Sequence, residues 1–141
     1  MNVKMLAAFI LAMTTFASVE IKPAIAKDAR PAQKIVQTAG RDNLGNFAPD
    51  FARYNDDILF GEVWSKNDVL PLRERSLITV AALLASGVLD SSLKYHIGTA
   101  KKHGVTKDEM AEVITQLGFY AGWPKAWAAF RMAKEVYAED K

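Results

Sequence analysis

The chain contains no cysteine. Thiol nucleophiles, disulfide exchange, thiol peroxidase chemistry and cysteine-rich zinc sites are therefore excluded, and the fold has to be held by its core. Histidine is scarce as well. The two residues, His96 and His103, stand seven apart with no H-x-x-x-H step and no carboxylate cluster, so no metal is expected. Neither sign of charge dominates, with 18 Lys and Arg against 16 Asp and Glu in mixed order. A nucleic-acid partner would need a clustered basic face, and none is present. There is no glycine-rich phosphate loop and no G-x-S-x-G elbow. Long apolar runs are absent except for Met5–Ala17, thirteen residues that are too short to span a bilayer comfortably.

That run has the form of an export signal. A short n-region ends in Lys4, the apolar stretch follows, and Ala24-Ile25-Ala26 fits the small-x-small rule for cleavage. The expectation is a signal peptide over residues 1–26, cut after Ala26, that delivers the protein to the periplasm or outside the cell. An uncleaved anchor is the alternative. After cleavage no membrane contact is expected. Residues 27–48 read as an N-terminal extension with a short helix, and residues 49–141 as one domain.

Strand-like alternation never lasts more than a few residues, whereas helical spacing is everywhere. Ala32–Thr38 fits a short helix ending at Gly40, and Asn43–Phe47 fits a loop. Pro49 and Asp50 suit the first turn of a helix carrying Phe51, Tyr54, Ile58, Leu59, Val63 and Trp64 on one side. Pro71 opens a helix through Ala85 that Gly87 stops, its second half apolar enough to be central and buried. Asp90 or Ser91 caps a helix running to about His103. Thr106-Lys107-Asp108-Glu109 is a capping box opening a helix through Tyr120. A last helix follows Pro124 and ends near Ala138. The sum is an all-α chain of five or six helices.

Chemistry has few candidates. His96 lies mid-helix beside the small residues Gly98 and Thr99, which leave room for a ligand or a close neighbour. His103, before Gly104, reads as a structural cap. Glu112, Gln116 and Tyr120 recur at i, i+4 and i+8, forming one stripe. Such a stripe is usually a solvated edge; alternatively it walls a pocket beside His96, where Glu112 and His96 together hold a proton near neutral pH. Arg73 and Arg75 sit at a helix start, where the dipole disfavours them. Their partner is Glu74, another subunit, or a substrate carboxylate gripped bidentately. Trp123, ahead of Pro124, is pushed toward an extended conformation and suits a pocket wall or a subunit contact.

The order LPLRERSLITVAALLASG then LKYHIGTAKKHGVTKDEMAEVITQLGFYAGWPKAWAAF resembles the carboxymuconolactone decarboxylase family, over about Phe51 to Ala138. The motifs are R-x-R-S-L, the His96–Ala100–Gly104 step, Glu112-x-x-x-Gln116, and Tyr120-x-Gly122-x-Pro124. The resemblance implies the helical bundle of alkylhydroperoxidase D proteins and a homo-oligomer, a trimer or hexamer. The C-x-x-C of the peroxidase branch is replaced by Leu89-Asp90-Ser91-Ser92, and its glutamate by Ser76. The decarboxylase branch implies cofactor-free loss of carbon dioxide from a small anionic lactone or related acid. His96 would then supply a proton, Glu112 would tune it, and Arg73 or Arg75 would hold a carboxylate. Gln116, Tyr120 and Trp123 would complete the substrate site. The competing reading is a non-catalytic oligomeric protein that binds a small molecule on the same fold. The two differ in whether Glu112 and an arginine converge on His96.

Overall fold

In the computed structural model, which describes residues 31–138, the chain is all-α as expected. The helices are α1 (Ala39–Leu44), α2 (Pro49–Arg53), α3 (Leu72–Ser86), α4 (Ser91–Lys102), α5 (Lys107–Ala121) and α6 (Trp123–Ala138). A π-wound stretch, Tyr54–Trp64, continues α2. No strand occurs among the described residues, and no helix there is long and apolar enough to cross a membrane. The signal peptide expected over residues 1–26 lies outside the described residues.

The first part of the chain departs from its sequence reading in two ways. Residues 31–38 are not helical. Their backbone groups are met by side chains instead: Gln33 exchanges two hydrogen bonds with the Asn67 amide, and the Ile35 N–H donates to Ser65 Oγ at 2.9 Å. Lys34 Nζ donates to the Gly61 carbonyl at 2.6 Å. The short helix comes later, at α1, where the Asp56 carboxylate accepts the Gly40 and Arg41 N–H groups at 2.9 Å each. An acceptor at that end satisfies donors that a helix leaves orphaned.

The second departure is the inward face of residues 49–64. A period of 3.6 places Phe51, Tyr54, Ile58, Leu59 and Val63 inside, but all five are exposed. Trp64, of the same expected face, is buried, and Ala52, Asp56 and Gly61 take the other inward places. Hydrogen bonding from i to i+5 widens each turn, so the buried positions fall further apart than an α-helix allows. Asp56 is the fixed point of this arm. Burial alone would raise its pKa, but Asn55, the Gly40 and Arg41 amides and the Arg41 guanidinium outweigh that and hold it low. Gly40 is required by closeness: a Cβ there would lie 2.7 Å from Asp56 Oδ1 and 2.8 Å from the Ala52 carbonyl.

The other four helices form the core. α3 packs on α4 and α5, and α6 packs on α4 and α5. Val80 and Leu84 from α3, Leu93 and Ile97 from α4, and Met110 and Ile114 from α5 are wholly buried against alanines of α6. The second half of α3 buries a stripe rather than its whole circumference, since Ile78 remains 56% exposed. The caps are those expected. Asp90 accepts the Ser92 N–H at 2.8 Å, and Thr106 and Glu109 complete both arms of the capping box. Pro71 stands at the N-cap of α3, and Gly87 ends the helix.

Trp123 does not stand clear of the helix line. The break falls at Gly122, one place earlier, whose positive φ of 108° favours glycine, and Trp123 begins α6 with its ring edge-on to Phe119 at 5.6 Å. Its ring lies over Gly118, where a Cβ would sit 3.0 Å from the indole and 3.3 Å from Ala126 Cβ. Gly118→Ala is therefore expected to overpack the α5–α6 contact and lower stability by about 1–3 kcal/mol, read from a denaturant midpoint. An unchanged midpoint would show that Trp123 swings aside freely.

Candidate active site

His96 lies in α4 and His103 caps the C-terminal end of that helix, seven residues on. The position of α4 is set by the bond between His103 Nδ1 and Ser76 Oγ, 2.8 Å long. Ser76 is buried, and its hydroxyl proton goes to the Leu72 carbonyl at 2.8 Å. The oxygen then accepts from His103, which assigns that ring its Nδ1–H tautomer. The Trp64 ring lies 6.2 Å away, where the arm meets the bundle. His103 is thus a structural residue, as its place before Gly104 suggests.

His96 is different. Its ring is half-buried, makes no hydrogen bond among the described residues, and has Nδ1 sealed from solvent with no partner. Tyr95 meets it edge-on, with centroids 5.2 Å apart. Burial holds its pKa below the ordinary 6.5. A buried polar atom without a partner is destabilising unless something binds it, so it marks the place where a ligand has most to gain. The room at Gly98 is real, with nothing within 4 Å of an added Cβ. It lies about 200° round the helix from His96, however, on the face of Tyr95, Thr99 and Lys102.

The other expected residues do not reach His96 within one chain. Arg73 pairs with Glu74 at 3.5 Å and with Glu109. Arg75 donates to the carbonyls of Leu70 and Lys66, both at 2.9 Å, and so pins the loop before α3. Glu112, Gln116 and Tyr120 lie exposed along α5, with Tyr120 83% accessible. α4 packs on α3 and α6 rather than on α5, which keeps that stripe apart from His96. Trp123 walls an apolar groove between α5 and α6.

Two features escape a reading by spacing. One is the Ser76–His103 bond, whose signal is the hydroxyl standing where the resembling peroxidase branch has a glutamate. The other is Glu74, whose Oε2 is buried without a partner among the described residues. It follows Arg73 directly and looks like an ordinary neighbour in the sequence.

Both histidines have pKa values lowered by burial, His103 despite a raising contribution from the Leu72 carbonyl. In the unfolded chain they return to about 6.5. Below that value the unfolded state binds more protons than the folded one, so stability present above about pH 6.5 is lost as pH falls toward the folded values. Unfolding midpoints are expected to drop between about pH 7.5 and about pH 5.5, before the carboxylates of Asp56, Asp57 and Glu109 begin to protonate. His103→Gln should flatten part of that slope. A flat profile in the unsubstituted protein would show that neither ring is held neutral by the fold.

Comparison with known proteins agrees with this architecture. The family model described as "Carboxymuconolactone decarboxylase family" matches residues 49–135. A 4-carboxymuconolactone decarboxylase from Acinetobacter baylyi is 43% identical over 98 residues, covering 70% of this chain and 72% of that protein. An uncharacterized 15.0 kDa protein encoded in the nqo9-nqo10 intergenic region of Paracoccus denitrificans is 30% identical over 114 residues, covering 80% of this chain and 75% of that one. With the matched region running from the start of α2 into α6, the chain belongs to the carboxymuconolactone decarboxylase family.

Proposed function

We propose that the protein is a cofactor-free carboxy-lyase or isomerase acting on a small carboxylated lactone or related acid, with His96 as the proton-handling group. The relative from Acinetobacter baylyi supports the reaction class. The observation that carries the assignment to His96 is its ring, half-buried, depressed in pKa and with Nδ1 left unpartnered. In the reaction the carbon–carbon bond to the carboxylate breaks and carbon dioxide departs. The electron pair flows into the conjugated lactone carbonyl as a dienolate, and a proton from His96 adds to carbon. Burial makes the imidazolium a stronger acid, while an anionic substrate alongside favours its protonated form.

The residues expected to hold the substrate remain Arg73, Arg75, Gln116, Tyr120 and Trp123, with Glu112 beside His96. Since they do not converge within one chain, this reading places the complete pocket in a homo-oligomer, a trimer or hexamer. We also propose residues 49–141 as the working domain, 27–48 as its extension, and export to the periplasm or beyond. The signal-like stretch before Ala26 supports that location.

One observation favours a binding protein without turnover on the same fold: both arginines already have partners inside the chain. Kinetics separates the two readings. His96→Ala is expected to lower kcat/KM for a turned-over lactone by about 100-fold or more. The pH limb of kcat/KM should fall as pH rises through a value under 6.5, and that of kcat should lie higher because the bound anion raises the ring. Undiminished turnover in His96→Ala would remove the assignment, and no turnover of any carboxylated lactone would favour the binding protein.

A further inference from the structure

Tyr95 is a mid-helix residue that the core does not use. It stands on the side of α4 away from Leu93, Ile97 and Ala100, and it is 57% exposed. Its hydroxyl makes no hydrogen bond among the described residues. Its ring nevertheless meets that of His96, the next residue, with 5.2 Å between centroids and 83° between planes. Consecutive residues of an α-helix point about 100° apart and do not face one another. The contact is therefore no by-product of the helix. The Tyr95 ring has turned round α4 onto the imidazole, in a perpendicular arrangement that ring quadrupoles prefer.

The two histidines differ in what orients them. His103 is held by Ser76 Oγ at 2.8 Å, which fixes both its rotation and its tautomer. His96 has no hydrogen bond among the described residues, and its Nδ1 is sealed without a partner. A proton-handling imidazole is ordinarily oriented by a hydrogen bond at its second nitrogen. Without one, rotation about χ2 is only loosely held by its own torsional preference. We infer that Tyr95 is the positioning residue of His96, its ring setting the plane of the imidazole as Ser76 sets that of His103. The role belongs to the aromatic ring, since the hydroxyl has nothing to hold. The same ring covers one side of the imidazole and so contributes to its burial. Burial is the sole cause of the lowered His96 pKa, with no charged group contributing among the described residues. This inference rests on the reading of His96 as the proton-handling group and adds what orients it.

The chain has two histidines, so proton NMR follows two imidazole titrations, which His96→Ala assigns. Tyr95→Ala is expected to raise the His96 midpoint toward 6.5 and to leave that of His103 in place. In turnover its kcat should fall about tenfold with KM moved less, because a misaimed proton donor still lets substrate bind. The pH limb of kcat/KM should move up with the NMR midpoint. Tyr95→Phe should restore all of these. Tyr95→Leu keeps apolar bulk without a flat ring and should lose kcat as Tyr95→Ala does; it is the variant to read if the alanine chain fails to fold. An unmoved His96 midpoint or an undiminished kcat in Tyr95→Ala overturns the inference. So does a Tyr95→Phe chain that behaves like Tyr95→Ala, which would give the role to the hydroxyl. A shift of both histidine midpoints together overturns it as well, because it would report a changed fold rather than a released ring. If no lactone is turned over, the function proposed above falls by itself, and the titrations still decide whether Tyr95 governs the His96 ring.

Discussion

The hydroxyl of Ser76 lies between the Leu72 carbonyl and the ring of His103, and the placement of the site follows from that small contact. It joins the first turn of α3 to the end of α4. An α-helix advances a fixed 1.5 Å per residue, so fixing α4 at His103 also fixes His96, about 10 Å back along the same flank. Deletion of the bond would leave a buried hydroxyl or imidazole with one partner fewer, in a region where water cannot substitute. A hydroxyl also keeps the contact neutral. A carboxylate at the same place would turn it into an ion pair and draw a proton onto His103.

Much of the fold is legible in the sequence because its helix ends are written in side chains. Asp90 and the Thr106–Glu109 box mark the starts of α4 and α5, and both act as caps. The arm is another matter. Reading Phe51, Tyr54, Ile58, Leu59 and Val63 as a core face assumes a period of 3.6, and winding by i+5 defeats it. A buried aspartate drives the choice of face, and hydrophobic periodicity gives such a residue no weight. The extension fails as a helix for a related reason: its amides find Asn67 and Ser65, 34 and 30 positions later in the chain.

The site shows the same division. His96 is identifiable from its small neighbours and its place in the family pattern, and it proves to be the histidine whose ring nitrogen is left without a partner. The arginines were legible as residues seeking an anion, but not which anion. Glu74, Glu109 and the loop carbonyls near Leu70 already serve them. Spacing along a helix identifies residues that share a face. It does not tell which neighbouring helix will come to that face, and α5 carries Glu112 past α4 without packing on it.

Glu109 shows how closely the helix starts are tied. One oxygen accepts the Thr106 amide and closes the capping box, and the other accepts Arg73 from α3. Two helices far apart in sequence therefore share a single carboxylate at their N-terminal ends. Substitutions at Thr106 and Arg73, although the two residues do not bond one another, act on the same third group and will not be additive. The carboxylate behaves as a node, and the coupling energy between its two partners measures how far α3 and α5 order as one unit.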